Sequence, residues 1–205
     1  MSLLEIEVRG PLNAGQYQRT KTTLEELGTF KKEKRRLIID YSTFLPQQGL
    51  SERTLDIRAR ITNGEPEMII KVGSWGAADA RKEISVRIQK DQFTNLLEAY
   101  AALGYTKGML CVRNSFVYDY QGVEFALVEV PGHSYFFEAE IESTDNHADT
   151  QELHRIIADA YSALDLTPYS DDAYFDYVKK LNKEANHTFD FDNDGVTKLL
   201  EQYDI

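Results

Sequence analysis

Leu4-Glu5-Ile6-Glu7-Val8-Arg9, close to the start of the chain, alternates apolar and charged side chains. Side chains two residues apart on a β-strand share a face, so Glu5, Glu7 and Arg9 lie together and the aliphatic residues lie opposite. Glutamate is a poor strand former, and two of them on one strand face are unusual. The segment predicts a strand, Leu3–Arg9, whose charged face has a function beyond contact with solvent.

The same alternation recurs on three later segments, with charged side chains on one face and aliphatic side chains on the other. The charged sets are Arg58 and Arg60; Arg81, Glu83 and Arg87; and Glu138, Glu140 and Glu142. An ordinary half-buried sheet with one solvated face also alternates, and for a single strand this is the more common explanation. Repeated clusters of like charge favour an enclosed site in which a ligand removes the repulsion.

Eight strand segments are predicted, most of them joined by connections of hairpin length. They are Leu3–Arg9, Phe30–Phe44, Thr54–Thr62, Glu67–Val72, Lys82–Ile88, Met109–Tyr120, Val123–Val130 and Tyr135–Glu142. Helices follow the capping residues Asn13, Asp91 and Asp149, and the last helical stretch breaks near Pro168. Antiparallel strands in this number close a barrel or pack as a sandwich.

Composition excludes several classes of protein. The 205 residues, 42% of them hydrophobic, suit one globular domain. No segment approaches the roughly 18 uninterrupted apolar residues of a membrane helix, so no membrane association is expected. The start of the chain lacks a basic region and an apolar region, which predicts a cytoplasmic protein without a signal peptide. Cys111 is the only cysteine, which excludes an intramolecular disulfide and a cysteine-based zinc site.

The net charge of −11 is unevenly distributed along the chain. Residues 1–113 contain 18 Lys and Arg against 14 Asp and Glu, whereas residues 114–205 contain 5 against 20. Many basic residues of the first part fall within strand segments, which predicts a place inside the fold rather than on a solvated basic patch. Basic patches with interleaved aromatic residues are absent from the sequence, so no nucleic-acid partner is expected.

Carboxylates and guanidinium groups that face one enclosed space predict a particular kind of site. Mg²⁺ binds carboxylate oxygens together with the phosphate oxygens of a substrate. Arginine side chains on neighbouring strands bind the remaining phosphate oxygens in a bidentate manner. The combination predicts a site for a triphosphate with its metal.

The charged motifs, in their order along the chain, resemble those of the CYTH family, also called triphosphate tunnel metalloenzymes. This family includes thiamine triphosphatases, inorganic triphosphatases and class IV adenylate cyclases. The matching segments are Glu5-Ile6-Glu7-Val8-Arg9, Arg58-Ala59-Arg60, Lys71, Arg81-Lys82-Glu83 with Arg87, Arg113, Glu129 and Glu138-Ala139-Glu140. The resemblance implies an α+β fold, a closed eight-stranded antiparallel β-barrel with helices packed outside. Residues 1–182 would form this tunnel domain and residues 183–205 an acidic C-terminal tail.

The resemblance also implies a role for each charged residue. Mg²⁺, with Mn²⁺ as the alternative, would be held by Glu5, Glu7, Glu129, Glu138 and Glu140. The triphosphate would be bound by Arg9, Arg58, Arg60, Lys71, Arg81, Arg87 and Arg113. The catalytic pair that activates the attacking water is predicted to be Lys71 with Tyr41. Two registers stay open on the final strand, Glu138/Glu140 and Glu140/Glu142.

Two residues depart from the family pattern. Arg9 stands where the first motif usually ends in lysine, so Arg9→Lys is expected to be tolerated. Cys111 lies two residues before Arg113, at a position where many members carry lysine.

The predicted function is Mg²⁺-dependent hydrolysis of inorganic triphosphate or of a small organic triphosphate such as thiamine triphosphate. Two alternatives stay open. One is an adenylate cyclase, in which the ribose 3′-hydroxyl of ATP replaces water as the nucleophile and cyclic AMP is formed. The other is a non-catalytic polyphosphate- or nucleotide-binding protein. A homodimer is also left open.

A separate motif lies near the C-terminus. Asp190–Glu201 matches the pattern of an EF-hand loop, which predicts a Ca²⁺ site. The preferred alternative is a polar tail in which Asp194 caps a short helix, Val196–Tyr203. Thr197 occupies the usually apolar eighth loop position, and only Gln202–Ile205 follow the loop.

Overall fold

The computed structural model describes residues 2–46, 49–145, 148–196 and 201. Its strands are β1 (Ser2–Leu12), β2 (Thr29–Asp40), β3 (Leu55–Thr62), β4 (Glu65–Val72), β5 (Ala78–Arg87), β6 (Lys107–Tyr120), β7 (Val123–Val130), β8 (Ser134–Ser143) and β9 (His187–Asp190). Its helices are α1 (Ala14–Leu27), α2 (Phe93–Ala102), α3 (Thr150–Ala163) and α4 (Asp171–Glu184). In these described ranges, no helix has the length and apolar character needed to cross a bilayer.

Strands β1 to β8 form a closed antiparallel barrel. The strand order is β2-β3-β4-β5-β1-β8-β7-β6, and pairing between β2 and β6 completes the ring. The predicted fold, an eight-stranded antiparallel barrel with helices outside, is confirmed. Closure leaves no unpaired edge among these strands, so a long charged interior can be held without an exposed sheet edge.

Strand β9 was not predicted and falls within the segment expected to be an acidic tail. It pairs with the start of β6, from Lys107 to Leu110, and its Phe189 is buried among apolar residues beneath α2. Four residues are too few to show a hydrophobic alternation, which explains why the sequence pattern did not reveal it.

Helix α1 begins where its capping residue predicts. The Asn13 Oδ1 accepts a hydrogen bond from the Gln16 N–H at 2.9 Å, and the Gln16 side chain accepts one from the Asn13 N–H at 3.0 Å. This reciprocal capping box satisfies two backbone donors that the first turn leaves free. The helix ends at Gly28, whose N–H donates to the Leu24 carbonyl oxygen.

The extended segment predicted over Phe30–Phe44 ends earlier, at Asp40. Tyr41–Phe44 forms a short 3-10 helix, and the Asp40 carboxylate caps it by accepting a hydrogen bond from the Ser42 N–H at 2.8 Å. Asp40 therefore ends the strand by competing for a backbone donor, as aspartate commonly does at helix starts.

The apolar residues of the strands lie outside the barrel, under the helices. One core packs Ile6 and Val8 of β1, with parts of β6 to β8, against α1 and α3. A second packs Leu37 and Ile39 of β2, with parts of β3, against α2. Each fully buried side chain of this size contributes about 1.5–3 kcal/mol to stability. Because side chains alternate, the strand positions that alternate with these core residues point into the barrel, and Glu5, Glu7 and Lys34 are among them.

Candidate functional site

The barrel encloses a cavity of about 690 Å³, lined by side chains from every one of its eight strands. The alternation that sends Ile6 into the outer core turns Glu5, Glu7 and Arg9 inward. These three side chains are buried. A solvated charged face, the more ordinary explanation of the alternating pattern, is therefore excluded for this strand.

Three carboxylates meet inside the cavity. Glu5, Glu7 and Glu140 each offer one oxygen atom, and these atoms lie within 4.8 Å of one another. They come from adjacent strands, because β1 pairs with β8 so that Glu7 lies opposite Glu140. In the same register Glu138 lies opposite Arg9 and Glu142 lies opposite Glu5, and both glutamates line the cavity. The two registers left open by the sequence thus belong to one continuous acidic stripe.

This carboxylate cluster fits a hard divalent cation such as Mg²⁺ or Mn²⁺, which takes oxygen ligands. Basic neighbours balance part of its charge, because Lys71 donates to Glu5 and Arg9 donates to Glu7. Burial, followed by the Glu5 carboxylate, raises the pKa of Glu140 to about 8. The surroundings of Glu140 therefore favour its protonated form, and a metal ion at the cluster would displace the proton.

Glu129 was predicted to be a metal ligand, but it lies on the outer face of β7. Inward-facing positions of β7 are those of Glu124 and Val128, both of which line the cavity. Glu129 has the opposite parity and lies on the outer face near Tyr17 of α1. The acidic residue that β7 contributes to the cavity is Glu124, whose carboxylate accepts a hydrogen bond from Lys34 at 3.0 Å.

Most of the predicted phosphate-binding residues line the cavity. They are Arg9, Arg58, Arg60, Lys71, Arg87 and Arg113. Arg60 donates to Glu67 at 2.7 Å, and Arg113 donates to the Asn186 Oδ1 at 3.0 Å. Lys71 also lies 3.3 Å from Glu83. The barrel therefore brings cations and carboxylates from many strands into one space, as the sequence predicted.

Arg81 does not line the cavity, so its predicted phosphate contact is wrong. Its side chain is 1% exposed and donates to Asp56 at 2.7 Å, and its Nε lies 3.1 Å from Asp79. Burial alone would raise the pKa of Asp56, but Arg58, Arg81 and Arg53 hold it well below its usual range. Arg81 thus belongs to a buried ion-pair network with Asp56 and Asp79.

Arg9 is held equally firmly, although it lines the cavity. Its guanidinium donates to the Gly76 carbonyl oxygen at 2.8 Å and to Asp79 at 3.0 Å, in addition to Glu7. It also lies 5.3 Å from the centre of the Tyr174 ring. These partners occupy the donors that a phosphate would need.

The predicted catalytic pair is wrong, because Tyr41 lies outside the barrel. Tyr41 is buried in the core beneath α2, with its ring 4.9 Å from that of Tyr100. The strand prediction carried through Tyr41, but the chain leaves β2 at Asp40 and turns the ring outward. The tyrosines that line the cavity are Tyr174 and Tyr177 of α4. Burial raises the pKa of Tyr174 to about 12.

Helix α4 lies across one end of the barrel. Tyr174, Tyr177 and Leu181 line the cavity, and Leu181 packs among inward-facing apolar residues that include Val128 and Phe136. The sequence pattern predicts this helix but does not assign it to the site. Its apolar positions are spaced as in any amphipathic helix, so the pattern alone does not name the surface that it covers.

Strand β2 supplies three basic cavity residues that the sequence pattern did not reveal, Lys32, Lys34 and Arg36. A detectable pattern existed, because these alternate with Leu37 and Ile39 of the outer core. The continuous charged run from Lys31 to Arg36 concealed the alternation, since charged residues occupy both faces at that point.

Cys111 lines the cavity two residues before Arg113. Burial raises the pKa of its thiol to about 11, so the position is uncharged. The departure from the family pattern therefore removes a positive charge from this part of the wall.

The proposed Ca²⁺ loop, Asp190–Glu201, falls partly outside the described residues, as does most of the helix predicted over Val196–Tyr203. Asp190 ends β9, and its carboxylate lies 3.2 Å from the Lys107 ammonium. The Asp194 carboxylate accepts a hydrogen bond from the Asp190 N–H at 2.8 Å. Calcium binding stays a prediction.

No family model and no curated protein matches the sequence. Solved structures do match its fold. The PH1012 protein from Pyrococcus horikoshii OT3 is 19% identical, with a TM-score of 0.62 over 80% of this chain and 91% of that one. A proposed adenylate cyclase from Vibrio parahaemolyticus is 13% identical, with a TM-score of 0.57 over 97% and 98% of the two chains.

A third match is HpAC1 from Hippeastrum, a proposed adenylyl cyclase described as having a dominant triphosphatase activity. It is 13% identical, with a TM-score of 0.55 over 87% of this chain and 96% of that one. At these identities the matches establish a shared fold. It is the tunnel fold that the motif resemblance implied.

Proposed function

We propose that this chain is a CYTH-type enzyme that binds a triphosphate with Mg²⁺ in the barrel and hydrolyses one of its phosphoanhydride bonds. One observation carries the proposal. The carboxylates of Glu5, Glu7 and Glu140 converge to within 4.8 Å in the same cavity that Arg58 and Arg113 line. Such a combination suits a polyanion that arrives with a divalent cation.

The acidic half of the cavity would hold the metal. Glu5, Glu7 and Glu140 would provide its carboxylate ligands, with Glu138 and Glu142 next to them. A bound Mg²⁺ would neutralise charge on the phosphate oxygens and orient them. Mn²⁺ takes the same oxygen ligands and would substitute for it.

The basic half of the cavity would hold the phosphates. Arg58 and Arg60 lie on one face of β3, about 7 Å apart along the strand. This spacing suits contacts to different phosphate groups of one triphosphate. Arg113 reaches the cavity from β6, and its planar guanidinium offers two parallel donors to a phosphate.

Hydrolysis would proceed by in-line attack of water on a phosphorus atom. Charge in the transition state spreads over the phosphoryl oxygens, and guanidinium groups fixed by their strands stabilise it without reorganisation. Arginine stays protonated and cannot act as the base. Lys71 is engaged by Glu5 and Glu83, so it would position the acidic half rather than accept a proton. Phosphoryl transfer depends mainly on positioning and charge stabilisation, which this cavity would supply.

The direct test is phosphate release from tripolyphosphate with Mg²⁺, with Mn²⁺ and with EDTA. Release is expected with either metal and not with EDTA. Glu140→Gln keeps the shape of the side chain but removes a ligand charge, so kcat should fall at least about 100-fold. Glu129→Gln makes the same chemical change on the outer face of the barrel and should leave turnover near that of the unmodified protein.

Incubation with ATP separates the alternatives. ADP with phosphate supports the hydrolase, whereas cyclic AMP with pyrophosphate supports a cyclase of the same fold. Tight binding of tripolyphosphate without turnover under any divalent metal would contradict the proposal and favour a binding protein.

A further inference from the structure

Arg36 of β2 lies in the cavity without a partner for its charge. The Nε atom is buried and has no hydrogen-bond acceptor, and no ion pair to the Arg36 side chain is formed within the described residues. Arg36 as a whole is partly buried, so its guanidinium has lost part of its hydration and no protein acceptor replaces the water lost at Nε. The neighbouring cavity cations Arg60 and Lys34 do have carboxylate partners, at 2.7 and 3.0 Å.

The neighbours of Arg36 increase this cost. In the β2–β6 ladder Arg36 lies directly opposite Arg113, and in the β2–β3 ladder it lies opposite Thr62, two residues from Arg60. Directly opposite residues have Cβ atoms about 4.5–5.5 Å apart and diagonal ones about 7–8 Å, and like charges at these distances repel. Burial, and then the charge of Arg60, lower the pKa of Arg36.

Carboxylates in the vicinity do not relieve the charge by direct contact. Glu67 accepts hydrogen bonds from Arg60 and from Ser85, and Glu140 belongs to the carboxylate cluster. Glu138, Glu140 and Glu67 act on Arg36 only through their longer-range fields. Three guanidinium groups on adjacent strands therefore face one space, and Arg36 at their centre is uncompensated.

We propose that Arg36, together with Arg60 and Arg113, forms an anion site that binds one phosphate group of the substrate without the help of a metal. The identity of the ligand as a phosphate rests on the proposed function, whereas the need for an anion rests on the unpaired charge. Three planar donors from three strands surround a tetrahedral oxyanion better than a single arginine does. Arg36 is the specific residue of this site, because Arg60 and Arg113 already have acceptors in Glu67 and Asn186.

The test measures tripolyphosphate binding by isothermal titration calorimetry in EDTA, so that neither metal binding nor turnover contributes. The unmodified protein should bind tripolyphosphate under these conditions. Arg36→Met, which keeps the length of the side chain and removes its charge, should weaken binding at least about tenfold. Arg36→Lys keeps the charge without the fork and should give an intermediate affinity.

Arg35→Met is the matched control. Arg35 is the adjacent residue with the opposite parity; its side chain is 77% exposed and lies 3.3 Å from Glu33. This substitution removes the same net charge from the same strand but outside the cavity. The affinity of the variant for tripolyphosphate should therefore stay within about twofold of that of the unmodified protein. Equal losses in Arg35→Met and Arg36→Met would show that only net charge matters, and would overturn the inference.

Thermal unfolding without ligand gives a second readout. Removal of this unpaired, partly buried cation, which faces Arg60 and Arg113, should raise the Tm in Arg36→Met and abolish the increase that tripolyphosphate causes in EDTA. A structural arginine would behave in the opposite way, with a lower Tm for the variant. A variant that binds like the unmodified protein, or an unmodified protein that binds no tripolyphosphate in EDTA, would overturn the inference. Phosphate release with Mg²⁺ in that last case would leave the proposed function intact.

Discussion

The role of Arg9 depends on its contacts in the folded protein and not on its sequence motif alone. Lysine ends the corresponding family motif, and a substitution that restores it was expected to be tolerated. Arg9 instead donates to Gly76, Asp79 and Glu7 from one planar group. A lysine ammonium is a single point and cannot occupy the same set of directions.

Arg9→Lys should therefore destabilise the protein, by about 1–3 kcal/mol, because Asp79 and the Gly76 carbonyl oxygen would lose a buried partner. Urea unfolding monitored by circular dichroism measures the change. Arg155→Lys is the control, since Arg155 lies on the surface of α3 and, among the residues that the structure describes, forms its ion pair with Glu152. A free energy of unfolding equal to that of the unmodified protein would show that the Arg9 contacts are dispensable.

At the scale of elements, β1 runs directly beneath the connection between α3 and α4. The Tyr169 N–H donates to the Arg9 carbonyl oxygen at 2.9 Å, which ties this connection to the strand. A Cβ atom at Gly10 would lie 2.2 Å from the Phe137 ring and 2.3 Å from the Thr167 carbonyl oxygen. Only glycine allows the backbone of the connection to approach this closely.

Gly10→Ala should consequently lower stability, by about 1–3 kcal/mol or more, because a backbone carbonyl cannot move aside as a side chain can. Differential scanning calorimetry measures the effect. Gly15→Ala, in the first turn of α1, adds the same methyl group where the nearest atoms lie at 3.3 Å, and it should be neutral or stabilising. Equal Tm values for the two variants would contradict the close approach.

Alternation determined how well the site could be predicted, strand by strand. On β1, β3 and β8 the charged residues share one parity, so their common direction followed from the sequence. On β7 the glutamates at 124 and 129 have opposite parity, and the sequence contains nothing that chooses between them. The choice comes from the register with β6 and β8, which is a property of the closed barrel.

The sequence pattern could not predict contacts between segments that are far apart along the chain. Tyr41 was assigned to the cavity because the extended pattern continues to Phe44, whereas a hydrogen bond from Ser42 to Asp40 ends the strand. Tyr174 reaches the cavity only because α4 crosses the barrel. Periodicity predicts which face of an element is apolar, but the partner of that face depends on the whole fold.

At the scale of the whole molecule, the acidic half of the cavity makes stability depend on pH. Glu140 has a pKa of about 8 in the fold, whereas an unfolded glutamate has about 4.3. A raised pKa means that the folded state holds the proton more tightly, so this contribution is complete below the unfolded value and is lost as the pH rises through about 8. Glu5 and Asp56 have lowered pKa values, so their contribution to stability is lost only in acid.

Without metal, the Tm should therefore decrease between pH 6 and pH 9, and Glu140→Gln should reduce this slope. At the proposed metal site Mg²⁺ would replace the proton, so the increase in Tm that it causes should be larger at pH 9 than at pH 6. Thermal melts at fixed ionic strength with EDTA or with Mg²⁺ measure both effects. A Mg²⁺ effect that is independent of pH would argue against Glu140 as a ligand.

The position of α4 has a consequence for the movement of reactants. Because α4 lines the cavity at one end of the barrel, the proposed substrate would enter by the opposite end and its products would leave the same way. On this route a long polyphosphate would not pass through the barrel and would be shortened from a terminus. Fragments that have not yet left would also compete with the next chain, and we expect pyrophosphate to inhibit tripolyphosphate hydrolysis competitively.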